Sequence, residues 1–168
     1  LDRVAINVDI VQNALGRQIL VENPSLYAQL TGHEMPEYEF LAEVVRRTGC
    51  GLLVDVNNVY VSSINLGFDA AAYLAALPMK AIGEVHLAGH TADTTTRLLI
   101  DTHDAAVSAA VWDLYDRLIQ RTGPRPTLIE RDDRLPPFAE LMTECDRARA
   151  ILLGRSASIR EPAVAVYA

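Results

Sequence analysis

The amino-acid sequence predicts an α/β fold built on a parallel sheet. Short apolar runs alternate along the chain with longer segments whose apolar residues recur at helical spacing. The run "GLLV" at 51–54 shows no apolar–polar alternation, which is typical of a strand covered on both faces. Half of the 168 residues are hydrophobic, which is enough for one globular core. We therefore expect a leading helix followed by four strand–helix units with right-handed crossovers.

Glycine and proline bound the first predicted elements. Residues 2–15 form the leading helix, which ends at Gly16. The apolar run 18–23 is the first strand and stops at Asn-Pro, where helix is disfavoured. A second helix is predicted between Pro36 and Gly49, because its apolar residues share one face.

The next elements repeat this pattern. The second strand is predicted over 50–58, and a short helix capped by Asp69 follows it. The third strand is predicted over 81–89. A long helix with its apolar face over 107–119 comes after it, and Asp104 is its predicted cap.

The last elements complete one structural unit. The fourth strand is predicted over 126–132 and the final helix over 135–153, with Phe138 among its inward-facing residues. The unit then spans residues 1–154. The tail 155–168 has little periodicity, and we expect it to be poorly ordered.

Composition argues against several classes of function. A net charge of -7 without a basic stripe argues against nucleic-acid binding. No apolar run is long enough to predict a membrane span. Cys50 and Cys145 lie far apart in apolar settings, which fits neither a disulfide framework nor a Cys-x-x-Cys metal site. We expect a cytoplasmic protein.

Polar side chains follow every predicted strand at its carboxyl end. In parallel α/β folds these ends meet at one edge of the sheet, where functional sites are built. The residues concerned are Glu22, Asn23, Asp55, Asn57, Asn58, Glu84, His86, His90, Glu130, Arg131 and Asp132.

The segment "LLIDTHD" at 98–104 adds Asp101 and His103 to the same edge. Residues two apart in an extended segment share a face, so these two side chains can bind the same ion. The same spacing is expected to pair Asp55 with Asn57, and Glu84 with His86.

Each of these residues also has a structural interpretation. Asp101 and Asp104 could be turn or capping residues, and caps are commoner than metal ligands. His86 could be a hydrogen-bonded core histidine. All four strands place polar side chains at the same edge, and this favours a metal site over the structural interpretations. Burying so many ionisable groups together is costly unless cations compensate them. Oxygen and imidazole ligands without thiolate indicate Fe(II), Mn(II) or Zn(II), and their number indicates more than one ion.

Six segments in order carry a resemblance to a known family. They are "ILVENPSLY", "GLLVDVNNVYVSSINLGFD", "EVHLAGH", "LLIDTHD", "VWDLYDRL" and "TLIERD". Together they resemble the multinuclear non-haem iron-dependent oxidases, which include the methanobactin-biosynthesis oxidase and were long an uncharacterised TIM-barrel family.

The resemblance implies a fold and a function. Members are (β/α)8 TIM barrels that hold two or three iron ions and use dioxygen to modify residues, often cysteine, of a ribosomally synthesised precursor peptide. Many act with a separate partner protein that binds the peptide leader. The implied iron ligands are Glu22, Asp55, Asn57, His86, Asp101, His103 and Glu130. The residues implied to orient ligands or substrate are Asn23, Asn58, His90, Arg131 and Asp132.

The resemblance covers only the carboxyl-terminal half of the barrel. Residues 1–154 match strands five to eight with their helices, and His33 matches no family ligand. Because the chain opens at Leu1 inside a predicted helix, we expect it to be a piece of a longer protein.

Two other functions stay open at this point. A divalent-metal isomerase or hydrolase barrel, similar to xylose isomerase, would use the same ligand types with Mn or Zn. An inactive truncated barrel would only bind metal or a partner.

Overall fold

The computed structural model describes residues 1–29, 31–32 and 35–154. The predictions for His33 and for the tail 155–168 lie outside these residues.

The described residues form six strands and six α-helices. The strands are β1 Leu20–Glu22, β2 Gly51–Asp55, β3 Ile82–Leu87, β4 Thr91–Ala92, β5 Leu99–Ile100 and β6 Thr127–Ile129. The helices are α1 Asp2–Leu15, α2 Glu37–Thr48, α3 Val56–Leu66, α4 Ala70–Ala76, α5 Ala109–Thr122 and α6 Phe138–Leu152, with a 3-10 turn at Met79–Ala81.

Four of the strands form one parallel sheet in the order β1-β2-β3-β6. The sheet follows the chain order, with helices between neighbouring strands, so the predicted parallel α/β architecture is confirmed. It is consistent with part of a TIM-like barrel. The closed barrel itself stays a prediction.

Helices cover one face of the sheet and form the core there. Val54, Val85 and Leu87 are buried against Val111 and Tyr115 of α5. The alternate positions of the strands face the other way. Leu128 in the middle of the edge strand β6 is 44% exposed, so this second face is open to solvent at β6.

The ends of α1 and α2 lie where the sequence predicts them. Gly16 and Gly49 follow the two helices with positive φ angles of 63° and 67°, a conformation that glycine adopts without a Cβ penalty. Asp69 caps α4 by accepting hydrogen bonds from two backbone amides, also as predicted.

The predicted strand over 50–58 is wrong in its second half. β2 stops at Asp55, and α3 begins at Val56. The carboxylate of Asp55 accepts the backbone N–H of Asn58 and so caps a helix that the sequence analysis missed. Asn57 therefore lies in the first helical turn, and its predicted strand-like pairing with Asp55 is wrong.

Two further helix boundaries differ from the prediction. Ser108 caps α5 in place of Asp104, which forms an ion pair with Arg134 at 3.3 Å. α6 starts at Phe138 because consecutive prolines precede it, and Phe138 itself is 75% exposed instead of inward-facing.

β4 and β5 form a small antiparallel hairpin in the long connection after β3. Asn65 of α3 holds this hairpin through both backbone groups of Leu99. Its side chain accepts the Leu99 N–H at 2.9 Å and donates to the Leu99 carbonyl at 3.0 Å. The side-chain amide thus replaces a neighbouring strand.

α1 is attached to the rest of the fold through few buried residues. Ala5 and Val8 are its buried residues, while Ile6 and Ile10 are exposed. Gln12 adds a hydrogen bond from its amide to the Thr48 carbonyl. No helix among the described residues has the length and apolarity that a membrane crossing requires.

Candidate metal centre

The carboxyl ends of the four parallel strands and the loop after β5 bring five of the seven predicted ligands together. They form two groups. Within each group the ligand atoms all lie within 4.8 Å of one another. The first group is Glu22, Asp55 and His86, and the second is Asp55, His103 and Glu130. The two groups share Asp55, so its carboxylate lies between them.

Asp55 is held rigidly and presents one oxygen to the centre. Its Oδ1 accepts the backbone N–H of Asn58 at 2.7 Å, as the cap of α3. Its Oδ2 is buried and has no hydrogen-bond partner. Burial raises the pKa of Asp55 to about 7; the capping N–H of Asn58 acts against this rise, and the nearby carboxylate of Asp101 adds a smaller upward contribution.

Asn23 fixes the backbone of Asp55. Its amide donates to the Asp55 carbonyl and accepts the Asp55 N–H, both at 2.9 Å. These bonds continue the pairing of β1 with β2 one step beyond the last residue of β1. Asn58 in turn donates to the Asn23 carbonyl at 3.0 Å. Asn23 and Asn58 therefore orient Asp55.

Glu130 lies between the two histidines. Its Oε2 is 3.3 Å from Nδ1 of His86 and 3.6 Å from Nδ1 of His103. The predicted proximity of Glu84 to His86 also holds, with 3.3 Å between Oε1 and Nε2. Three ring nitrogens, Nδ1 of His86 and both of His103, are buried without a hydrogen bond of good geometry.

The loop after β5 brings His103 to the centre. His103 has a positive φ of 50°, and its N–H donates to the Gly89 carbonyl at 3.1 Å. The loop packs so closely that a Cβ on Gly89 would lie 2.0 Å from the carbonyl oxygen of Ala105. Only glycine fits there, and this close approach keeps His103 beside the strand ends.

Asp101 and Asn57 lie outside both groups but are connected to them. Asp101 Oδ1 is 2.8 Å from Nε2 of His103. It also accepts the side-chain N–H of Asn57 at 2.6 Å, and Oδ1 of Asn57 lies 2.7 Å from Nδ1 of His90. Burial lowers the pKa of His90, so the neutral ring is favoured. His90 therefore orients Asn57, which in turn contacts Asp101.

Arg131 and Asp132 have different environments. Asp132 places Oδ2 3.2 Å from Nδ1 of His103. Arg131 turns away to pair with Glu144 of α6 at 3.0 Å, and its side chain is only 8% exposed. Arg131 thus supports the loop after β6, and its predicted role in orienting ligands or substrate stays a prediction.

Carboxylates dominate the electrostatics of the centre. Burial raises the pKa of Glu22 above its ordinary value. Burial alone would lower the pKa of His103, but the carboxylates of Asp101 and Glu130 outweigh it and the net shift is upward. A cation at the centre would relieve the repulsion among these acids.

The orphaned ligand atoms test whether a metal fits. One carboxylate oxygen and three imidazole nitrogens are buried at the same place without a hydrogen bond, although carboxylates lie close to the nitrogens, and burying such atoms without a hydrogen bond is costly. Oxygen and nitrogen donors suit Fe(II), Mn(II) or Zn(II). Neither Cys50 nor Cys145 belongs to the two groups.

Sequence reasoning missed Gly89, Asn65 and Glu144. Gly89 falls inside the motif "EVHLAGH", but the requirement for glycine comes from a loop distant in the chain. Asn65 falls inside the motif "GLLVDVNNVYVSSINLGFD", but its partner Leu99 is distant in the chain. Glu144 lies on α6, outside the six motifs.

Fold and site together define a parallel α/β protein with a carboxylate–histidine centre suited to divalent metal ions. The chain belongs to the family described as the RiPP precursor modification enzyme MbnB/TglH/ChrH, whose family model matches residues 1–153. The predicted family resemblance is confirmed. This is a family of enzymes that modify precursors of ribosomally synthesised peptides.

Proteins from several bacteria are similar to the chain. It is 62% identical over 159 residues to a UPF0276 protein of Caulobacter sp. (strain K31), covering 94% of this chain and 58% of that protein. It is 56% identical over 154 residues to a UPF0276 protein of Chromobacterium violaceum, covering 92% and 55%. The chain therefore spans a little over half the length of these relatives.

Proposed function

We propose that the protein is the iron-binding part of an oxidase that uses dioxygen to modify cysteine residues of a ribosomally synthesised precursor peptide. One observation carries this proposal: two ligand groups share the buried carboxylate of Asp55. A shared carboxylate is how proteins hold two ions side by side. Family membership supports the choice of a precursor peptide as substrate.

Glu22, Asp55 and His86 would hold one ion, and Asp55, His103 and Glu130 the second. When bound, iron supplies the redox chemistry with dioxygen that no side chain of this protein can perform.

Residues of the chain prepare the site for these ions. Asn23 and Asn58 fix the Asp55 carboxylate, so that Oδ2 stays directed at the centre. His90 and Asn57 hold Asp101 against His103. Such outer contacts set the orientation and basicity of metal ligands.

The open face of the sheet gives the peptide a way in. Leu128 is exposed on that face, and Glu84 is partly exposed beside His86. We propose that the cysteine side chain approaches along this face. Neither ligand group contains a thiolate among the described residues, and a sulfur at the site would come from the substrate. A separate protein that binds the peptide leader completes the proposed system.

A reaction in defined metal and gas conditions tests this function. The chain and the full-length relative from Caulobacter are loaded with Fe(II) under argon and mixed with a cysteine-containing precursor peptide. We expect a mass change in the peptide only after air is admitted, and we expect His103→Ala to abolish it. Mössbauer spectra of the loaded full-length protein should show at least two coupled irons.

Two results would contradict the proposal. The same product with Zn(II) and no dioxygen would indicate an isomerase or hydrolase. Two bound irons without any product in the full-length relative would indicate a protein that only binds metal or a partner.

A further inference from the structure

We infer that Glu144 of α6 is a positioning residue for the second ion. It lies outside both ligand groups, yet it binds the two loops that carry His103 and Glu130. This inference rests on the proposed two-ion site and identifies a residue that controls only one half of it.

The first contact of Glu144 is to the loop after β6. Its Oε2 accepts a hydrogen bond from Nη2 of Arg131 at 3.0 Å, and both side chains are largely buried, with 8% and 14% exposed. Arg131 follows Glu130 directly in the chain. The ion pair therefore fixes the backbone next to the Glu130 ligand.

The second contact of Glu144 is to the segment that leads into α5. Its Oε1 accepts the backbone N–H of Val107 at 2.8 Å. Val107 ends the same loop that begins at Asp101 and carries His103. One carboxylate thus uses each oxygen for a different loop.

A backbone hydrogen bond also connects the two loops directly. The backbone N–H of Asp132 donates to the His103 carbonyl at 3.0 Å. Together with the Glu144 contacts, this bond fixes the spacing of His103 and Glu130. Within the described residues Glu144 bonds to Arg131 and Val107 and not to Glu22 or His86, so the first group should not depend on it.

The negative charge of Glu144 compensates the buried positive charge of Arg131. A buried arginine that loses its carboxylate partner is uncompensated, and either its side chain or its loop must move towards water. Such a movement changes the Glu130 position without removing any ligand. A glutamine at 144 would still accept the Val107 N–H but would leave Arg131 without its charge partner.

Titration of the full chain with Co(II) alone tests the inference, because its visible bands report on the ligands. We compare the wild-type chain with Glu144→Gln, Glu144→Ala and the matched control Glu140→Gln, an exposed glutamate one turn earlier on α6. His86→Ala and His103→Ala identify which bands belong to which ion.

We expect Glu144→Gln to weaken the His103-dependent ion about tenfold or more and to shift its bands, while the His86-dependent ion is unchanged. Glu144→Ala should act in the same direction and more strongly, and Glu140→Gln should match wild type. Thermal unfolding in EDTA measures the purely structural part of each change.

The outcomes separate this inference from the proposed function. Failure of the wild-type chain to bind two Co(II) ions would overturn the two-ion site and the inference with it. Two ions in wild type with unchanged bands and affinities in Glu144→Gln would overturn the inference alone. Equal weakening of both ions would mean that Glu144 only stabilises the fold, and would also overturn it.

Discussion

Replacing Asp55 by asparagine should stabilise the metal-free protein while abolishing metal binding. Burial raises the pKa of this carboxyl to about 7, compared with an ordinary value of 3.8. The folded state therefore holds the proton more tightly than the unfolded state. The resulting stability is fully present below pH 3.8 and is lost as pH rises through about 7.

The size of the effect follows from this difference in pKa. At pH 8 the ionised carboxylate lowers the free energy of unfolding by about 4 kcal/mol, and at pH 5 by less than about 2 kcal/mol. Asparagine carries no charge and can still accept the N–H of Asn58. Asp55→Asn should therefore recover about 4 kcal/mol at pH 8 and less than half of that at pH 5.

Urea unfolding in EDTA at the two pH values measures these gains. Asp69→Asn is the matched control, because Asp69 also caps a helix but is exposed. Its stability should change little at either pH. A lower stability of Asp55→Asn than wild type at pH 8 would refute the reasoning, as would a gain that is equal at both pH values. Full retention of both ions by Asp55→Asn would refute the assignment of the shared ligand.

Three further predictions concern the loops and caps. Gly89→Ala should lower the free energy of unfolding by at least about 2 kcal/mol, because its Cβ meets the Ala105 carbonyl at 2.0 Å; an unchanged melting temperature would contradict the close approach. His86→Ala and His103→Ala should each remove a different ion, as counted by anaerobic metal analysis; loss of both ions from either variant would contradict two separate groups. Asp69→Ala should cost about 1 kcal/mol in urea unfolding through the lost cap of α4, and no loss would show that this cap is dispensable.

The fold was predictable from the sequence where local signals, such as a glycine at a helix end, agree with the packing. Gly16 and Gly49 end their helices in the left-handed conformation that sequence rules anticipate. The start of α3 was not predictable from hydrophobic pattern, because apolar residues lie on both sides of Asp55 in "LLVDVNNVYV" and fit a strand or a helix. There the backbone N–H of Asn58 donates to the side chain of Asp55, and this cap between residues three apart starts the helix.

The candidate site was predictable to the extent that it follows strand ends. Glu22, Asp55, His86 and Glu130 meet because parallel strands end at one edge. The outer contacts were not predictable, because they join distant segments. Glu144 and Val107, for example, are separated by 37 residues in the chain.

The sparse attachment of α1 has a consequence for local stability. Hydrogen exchange depends on the free energy of the smallest opening that exposes an amide, and an element with few buried contacts opens most easily. With Ala5 and Val8 as its buried residues, α1 should exchange its amides faster than β2 and β3 do. Because α1 carries none of the ligands, it can open and close while Asp55 and His86 stay in the most protected part of the protein.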